Sequence, residues 1–250
     1  MGSASGIQRE QCKVVLDDRL AAACDLVPYC DICADIGADH GKLSAALLCE
    51  GRANHVLVTD ISAKALDKAR RLLSRMRLSA GATFMAADGL SALGGLGGKC
   101  LDAVCILGMG GDTIAGILQA GADRLGGAVL VLGAHTELPR LRRTIGEIGY
   151  CLNAERFVEV TGRSYVVMRA VIASGMEEYG YTEKELLLGP CLLKDPPALW
   201  LKTLRKRERR LGELLSILRR VNREKDRERM MSMEQEYQYI REVLAERAEG

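Results

Sequence analysis

Short apolar runs alternate with amphipathic stretches from about residue 31 to residue 173. This alternation predicts strands that pair in parallel, each connected to the next by a helix that covers the sheet. The predicted strands are 31–36, 54–59, 82–87, 101–107 and 128–132, and the predicted helices are 41–50, 62–76, 111–120 and 137–148. Ser62 and Asp112 stand at helix starts, where their side chains can act as caps.

The pattern changes after Gly149. Residues 151–160 and 164–173 are apolar-rich runs separated by Thr161-Gly162-Arg163, and a glycine in so short a connection predicts a β-hairpin. A mostly parallel sheet that ends in an antiparallel hairpin resembles class I methyltransferases, whereas a dinucleotide dehydrogenase usually continues with another parallel unit. We therefore expect an α/β, Rossmann-like class I methyltransferase fold.

A helical segment is predicted beyond Leu188-Gly189-Pro190, because Pro196-Pro197 opens a long run of helix-forming residues without further proline. Its apolar residues follow heptad spacing in two short seams, which predict a coiled-coil-like helical hairpin that turns near Asn222. The predicted domains are 12–190 and 191–250. The seams are Leu204, Leu211, Leu214, Leu218 and Val221, and Met230, Met233, Tyr237, Ile240 and Leu244.

The net charge of +2 hides an uneven distribution. Residues 202–229 carry twelve Lys or Arg against five Asp or Glu. Mixed charge runs are usually solvated helix faces, but this excess is larger than solubility requires and favours binding of nucleic-acid phosphates. Arg205, Arg209 and Arg220 are candidate phosphate contacts.

The composition is that of an ordinary folded protein, with 48% hydrophobic and 27% charged residues. No apolar run reaches the roughly 18 residues that span a bilayer, and the first residues do not resemble a signal peptide. The nine cysteines form an odd number and mostly lie in apolar stretches, which is typical of a reducing compartment. Cys30 and Cys33 lack further ligands at zinc spacing. We therefore expect a cytoplasmic protein without a metal or membrane contact, and a monomer by default.

The strongest local motif is Asp35-Ile36-Gly37-Ala38-Asp39-His40-Gly41, where the first strand turns into the first of these helices. Glycines here permit a tight turn, and the helix start offers free N–H groups that can hold a carboxylate or a phosphate. A dinucleotide fingerprint needs a glycine where Asp39 stands. An acid at that position would repel a pyrophosphate but tolerates the positive charges of S-adenosylmethionine.

Two further acids end the second and third predicted strands. Asp60 stands where an open α/β sheet presents a carboxylate to ribose hydroxyls, and Asp88 stands where methyltransferases bind the amine of the cofactor's adenine. Each acid alone could be a turn or capping residue, but their order favours S-adenosylmethionine. The candidate cofactor-binding residues are Asp35, Gly37, Asp60, Ile61, Asp88, Gly89, Gly108 and Met109.

The fourth strand leads into Gly108-Met109-Gly110-Gly111, at the edge where such enzymes bind their substrates. The simple explanation is a tight turn between strand and helix. Glycines so closely spaced nevertheless favour close approach of the backbone to a bulky group, which makes Gly110 and Gly111 candidate substrate contacts.

These motifs, with Leu188-Gly189-Pro190 and the helical tail, resemble the bacterial tRNA adenine-22 N1-methyltransferase family, the TrmK type. The resemblance covers roughly residues 16–244. It implies S-adenosylmethionine as donor and tRNA as substrate. The essential acid of the family corresponds to Asp39, whose carboxylate would stabilise the charge on the methylated ring or accept a proton. His40 would orient Asp39, which could instead be a turn residue or a ligand of the cofactor amine.

Two positions depart from the family pattern. The family carries Gln-Pro-Asn after the fifth strand, where this chain has Gly133-Ala134-His135, so His135 is the candidate substrate residue there. Lys42 replaces a common aromatic residue. Two alternatives stay open: a methyltransferase of another RNA or a small molecule, and a non-catalytic RNA-binding relative. The acids at the strand ends argue against the second.

Overall fold

The computed structural model describes residues 12–96, 100–175, 180–221 and 227–247. The chain forms two compact units, residues 1–180 and 181–250. The sequence placed the change of domain between residues 190 and 191, after Leu188-Gly189-Pro190. Residues 1–11 and the predicted turn near Asn222 lie outside the described residues.

The first unit contains a seven-stranded sheet with the order β3-β2-β1-β4-β5-β7-β6. Strands β1 to β5 are parallel, β7 is antiparallel to β5, and β6 is antiparallel to β7. This arrangement confirms the predicted fold class. The elements are α1 (Asp18–Leu26), β1 (Cys30–Ile36), α2 (Lys42–Cys49), β2 (Ala53–Asp60), α3 (Ala63–Arg75), β3 (Ala82–Ala86), β4 (Ala103–Leu107), α4 (Gly111–Gly121), β5 (Val129–Ala134), α5 (Leu138–Glu147), β6 (Tyr150–Val160) and β7 (Arg163–Ile172).

The central strands are apolar because helices cover both faces of a parallel sheet. All five residues of β4 are buried. Helix α3 is amphipathic and begins at Ser62, whose side chain accepts a hydrogen bond from the Ala65 backbone N–H, as the sequence predicted. The predicted cap at Asp112 is wrong, because Gly110 occupies the N-cap position of α4. Asp112 lies in the first turn and pairs with Arg140.

The sequence did not predict helix α1. Its nine residues are too few for a clear apolar period. Asp17 caps the helix by accepting a hydrogen bond from the Leu20 backbone N–H at 2.8 Å, and Ala23, Cys24 and Leu26 are buried. This helix places Arg19 beside the carboxyl ends of the parallel strands.

The cysteines of the first unit differ in their surroundings. Cys33 and Cys105 are buried with their sulfur atoms 3.7 Å apart, as small hydrophobic residues would be. Cys12 and Cys49 form a disulfide with a Cα–Cα distance of 5.5 Å, which the sequence did not predict. No cluster of three potential metal ligands occurs among the described residues.

The second unit is helical and contains α6 (Glu183–Leu188), α7 (Pro190–Lys194), α8 (Ala198–Val221) and α9 (Arg227–Glu246). Helices α8 and α9 form the predicted hairpin, and ion pairs such as Arg207 to Glu236 join them. The seam on α8 is shifted at one position, because Leu215 is buried and Leu214 is only half-buried. None of the helices in the described ranges has the length and apolar character needed to cross a membrane.

Candidate functional site

A cavity of about 630 Å³ lies at the carboxyl ends of the parallel strands of the first unit. The loops after β1, β2 and β4, the residues after β3, and helices α1 and α4 line it. All the residues predicted to be catalytic or to bind the cofactor line this one cavity: Asp35, Gly37, Asp39, His40, Asp60, Ile61, Asp88, Gly89, Gly108 and Met109. The structure therefore brings together strand ends that are far apart in sequence.

The loop after β1 adopts a left-handed backbone at three positions, with φ of +71° at Gly37, +46° at Asp39 and +68° at Gly41. A Cβ atom at Gly37 would collide with Cε of Met109. The end of the Met109 side chain could move aside, so it is the left-handed φ that favours glycine at position 37. Asp39 is a non-glycine residue in this region, a conformation that Asp tolerates better than most residues and that is common at functional sites.

Asp35 lies at the base of the cavity and is only 3% exposed. The Ser44 hydroxyl donates a hydrogen bond to its carboxylate at 2.5 Å. Burial raises the pKa of Asp35 to about 6, although the hydrogen bond from Ser44 favours the ionised form. The carboxyl group is therefore poised to change its charge near neutral pH, and a cation in the cavity would favour its ionised form.

Asp60 organises the loop in addition to facing the cavity. One carboxylate oxygen accepts a hydrogen bond from the Ser62 N–H at 2.8 Å, and the other accepts one from the Asp39 N–H at 3.1 Å. Asp60 does not cap α3, because Ser62 holds the N-cap position, and the Asp60 carboxylate instead braces the turn before the helix. Each carboxylate oxygen retains a further lone pair, so the same group can also accept a hydrogen bond from a ribose hydroxyl.

Asp88 is exposed at the end of the cavity that follows β3. Its backbone carbonyl accepts hydrogen bonds from the N–H and the hydroxyl of Ser91. Within the described ranges no hydrogen bond to its carboxylate is formed. The turn is thus held by the backbone, and the side chain is available to a ligand with a hydrogen-bond donor.

Asp39 and His40 form a pair at the mouth of the cavity. Nδ1 of His40 is 2.5 Å from Oδ2 of Asp39, and Nε2 of His40 is 3.3 Å from Nζ of Lys68. A lysine ammonium has only donors, so Nε2 accepts and Nδ1 carries the proton that is donated to Asp39. The Asp39 carboxylate is 65% exposed and is held by an imidazole of fixed tautomer.

The glycine-rich turn after β4 has two different roles. Gly108 has φ of +78° and lies in the cavity wall beside the guanidinium of Arg19. A Cβ atom at Gly111 would come within 2.5 Å of the backbone oxygen of Thr136, and one at Gly110 would press on the Thr136 side chain. Close packing on the loop after β5 therefore explains these two glycines, and neither lines the cavity.

An aromatic group that the sequence did not single out stands next to the cavity. Because β7 is antiparallel to β5, its first residues lie at the edge where the parallel strands end. The ring of Tyr165 is therefore 5.3 Å from the ring of His135, and the guanidinium carbon of Arg19 is 5.4 Å from the Tyr165 ring centre. The predicted antiparallel hairpin could have indicated Tyr165, because in an antiparallel strand the first residues, and not the last, lie at the edge where the parallel strands end.

The remaining candidate contacts lie in the second unit. Arg205, Arg209 and Arg220 are exposed on α8. Two other arginines of this helix are already neutralised, Arg207 by Glu236 at 2.7 Å and Arg219 by Glu234 at 2.9 Å.

Comparison with known proteins points to one methyltransferase family. The family model for tRNA (adenine(22)-N(1))-methyltransferase, TrmK, matches residues 33–243. The tRNA (adenine(22)-N(1))-methyltransferase of Bacillus subtilis (strain 168) is 27% identical over 238 residues, which are 92% of this chain and 97% of that protein.

Solved structures agree with this match. The crystal structure of the B. subtilis m1A22 tRNA methyltransferase TrmK superimposes with a TM-score of 0.82 at 25% identity, covering 93% of this chain and all of the other. The structure of M. capricolum TrmK in complex with S-adenosyl-homocysteine gives a TM-score of 0.77 at 20% identity, covering 92% of this chain and 98% of the other. The chain belongs to the TrmK family of tRNA (adenine(22)-N(1))-methyltransferases.

Proposed function

We propose that this chain methylates N1 of adenine 22 in tRNA with S-adenosylmethionine bound in the cavity at the carboxyl ends of β1 to β4. The family supports the reaction. The observation that carries the assignment of the site is the convergence of Asp35, Asp60 and Asp88 on one cavity in the order of their strands. That the enzyme works as a cytoplasmic monomer stays a prediction.

The cavity fits this cofactor in size and charge. A volume of about 630 Å³ is within the range of small-molecule sites. We assign Asp60 to the ribose hydroxyls and Asp88 to the exocyclic amine of the adenine. Asp35 lies at the base, where its carboxylate suits a positively charged group. Arg19 is a cation in the wall next to Gly108 and can bind the carboxylate of the methionine part.

When bound, S-adenosylmethionine supplies an electrophilic methyl group to the lone pair on adenine N1. The protein contributes positioning and electrostatic stabilisation, since no covalent enzyme intermediate is needed. Asp39 stabilises the positive charge that develops on the ring or accepts a proton from N6. His40 donates from Nδ1 to that carboxylate and holds it in place.

Tyr165 and His135 are the proposed wall for the target adenine. An N1 atom inside a base-paired stem is inaccessible, so the nucleotide must leave the stack before it can react. Aromatic rings then replace the neighbouring bases as stacking partners. Lys42 stands where an aromatic residue is common in the family, and Tyr165 provides a ring at the same edge of the sheet, supported by Arg19.

The decisive experiment is incubation of the chain with labelled S-adenosylmethionine and unmodified tRNA, followed by mapping of the modified nucleoside. We expect 1-methyladenosine at position 22 and no label in a matched transcript with guanine at that position. Label at another position or in another RNA would favour a different substrate. Binding of tRNA and cofactor without any transfer would favour a non-catalytic role and contradict the proposal.

A further inference from the structure

A second cavity, of about 680 Å³, adjoins the cofactor cavity and has a strongly basic lining. His40 and Lys42 belong to the walls of both cavities. Its lining contains no acidic residue and consists of His40, Lys42, Lys68, Arg70, Arg71, Leu72, Ser74 and Arg75. We call it the basic cavity.

Three cations of the basic cavity lie on one face of α3. Lys68, Arg71 and Arg75 follow one another at spacings of three and four residues, which places their side chains side by side. All three are exposed, as is Lys42. Arg70 points its guanidinium to the ring of Phe84, 4.6 Å from the ring centre, and is therefore already engaged.

Acidic side chains of the described residues do not neutralise these cations. Lys42, Lys68, Arg71 and Arg75 form no ion pair with any residue in the described parts of the chain. The contrast with α8 is clear, because Arg207 and Arg219 there have glutamate partners. Like charges at spacings of three and four residues destabilise a helix, so an anion that binds to this cluster would relieve the repulsion.

The row of cations begins at the proposed catalytic pair. Lys68 contacts His40, which contacts Asp39, so the basic cavity and the methyl-transfer site meet at these side chains. A nucleotide whose base enters the cofactor cavity must bring its own phosphates to this edge. Tight positioning of those phosphates would also stop the extruded base from returning to its stack.

We propose that Lys42, Lys68, Arg71 and Arg75 bind the tRNA phosphates that flank the target adenosine. The inference rests on the proposed function, because it takes tRNA as the partner and the Asp39 side of the cavity as the place of methyl transfer. Lys42 departs from the family pattern, and in this arrangement it contacts a phosphate where an aromatic residue would stack on a base. The inference also places RNA contacts on the catalytic unit itself, in addition to the arginines of α8.

The test compares two double variants that each remove two positive charges. Arg71→Gln with Arg75→Gln alters the basic cavity. Arg124→Gln with Arg77→Asn alters cations outside it, and Asn suits position 77 because its φ of +58° is left-handed. Binding of tRNA is measured by filter retention at several salt concentrations, and S-adenosylmethionine binding by calorimetry.

We expect the cavity variant to bind tRNA about tenfold or more weakly at physiological salt. The slope of log K against log salt should become shallower by about 0.7 to 0.9 for each phosphate that is no longer bound. Its cofactor affinity should stay within about twofold of the wild type, and the control variant should match the wild type in both measurements. Arg71→Lys with Arg75→Lys should restore most of the slope, because the salt dependence follows the charge.

An unchanged affinity and slope in the cavity variant would overturn this inference. The same result would leave the proposed function intact if the wild type still methylates tRNA. Failure of the wild type to methylate tRNA would contradict the proposed function, and the binding data would then show separately whether the basic cavity holds RNA. A cavity variant that loses cofactor binding together with tRNA binding would mean that α3 supports the cofactor site instead.

Discussion

Nδ1 of His40 lies 2.5 Å from Oδ2 of Asp39, and Lys68 contacts the opposite nitrogen of the same ring. The ammonium of Lys68 cannot accept a hydrogen bond, so the imidazole is held in the tautomer that donates to Asp39. Asp39 itself has a left-handed backbone and hydrogen-bonds through its N–H to Asp60. The His40 ring therefore holds the Asp39 carboxylate, and the hydrogen bond to Asp60 holds the Asp39 main chain.

Replacement of Asp39 should separate chemistry from cofactor binding. We expect Asp39→Asn to lower the rate of methyl transfer by about 100-fold or more, as is usual for loss of a positioned acid–base group. The Asn keeps the N–H bond to Asp60 and tolerates the positive φ, so cofactor affinity should stay within about tenfold, or about 1.4 kcal/mol. Single-turnover methylation and calorimetry measure the two quantities. A large common decrease in both would make Asp39 a cofactor ligand.

Cofactor affinity should depend on pH through Asp35. Its pKa is raised to about 6 by burial, with a smaller contribution from the charge of Asp60, so the group is protonated in much of the apoprotein below that pH. The cationic cofactor favours the ionised carboxyl group. We therefore expect cofactor affinity to increase from about pH 5 to about pH 7 and to level off above pH 7. Below the pKa, Asp35 should release its proton when the cofactor binds, which calorimetry can detect. Asp35→Asn should bind more weakly at neutral pH and lose this pH dependence.

The raised pKa of Asp35 makes folding stability change with pH in the opposite direction to cofactor affinity. A carboxyl group whose folded pKa is raised above 3.8 binds its proton more tightly in the folded protein. The stability of the apoprotein therefore decreases as the pH rises from about 4 to about 6, by at most about 3 kcal/mol from this group. Urea unfolding of the wild type and of Asp35→Asn over this range would measure the difference. A wild type that gains stability from Asp35 with rising pH would contradict the assigned pKa.

The sheet and the cofactor loops were predictable because their signals are local. Each strand produces an apolar run, and the acids at positions 35, 60 and 88 lie in or directly after such runs. Parallel pairing then places all strand ends at one edge, which the structure confirms. Helix α3 was equally clear from its amphipathic spacing and its capping Ser62.

Contacts between distant segments were not predictable. Arg19 and Tyr165 meet only because α1 and β7 are brought to the same edge, and no sequence pattern pairs them. Arg142 and Glu155 form a fully buried ion pair with a distance of 2.9 Å between Nε and Oε1. Charged residues are normally exposed, so sequence reasoning had no basis for placing this pair between α5 and β6.

The aromatic wall should affect the RNA substrate and leave the cofactor unaffected. We expect Tyr165→Ala to reduce kcat/KM for tRNA by about 10-fold to 100-fold, because stacking of a base on an aromatic ring contributes about 1 to 3 kcal/mol. Tyr165→Phe keeps the ring and should retain most of the activity. Cofactor affinity, measured by calorimetry, should stay close to that of the wild type in both variants. Equal losses in the Phe and Ala variants would show that the hydroxyl and not the ring is needed.

The arginines of α8 give the last prediction, with a control on the same helix. Arg205→Gln, Arg209→Gln and Arg220→Gln together should weaken tRNA binding at physiological salt by about tenfold or more, because exposed guanidinium groups release counterions when they bind phosphates, at about 0.7 to 0.9 of salt slope per phosphate. The decrease should be similar for tRNAs of different sequence, since phosphate contacts position the RNA without reading bases.

The matched control changes Arg207 and Arg219, whose charges are already neutralised by glutamates. Arg207→Gln with Arg219→Gln should leave the salt slope nearly unchanged and affect mainly the stability of the hairpin, by at most about 1 kcal/mol per exposed pair. Gel-shift titrations at several salt concentrations compare the two variants. If both bind tRNA as the wild type does, the helical unit has a packing role, and recognition of the RNA backbone belongs to the catalytic unit, where Arg71 and Arg75 lie.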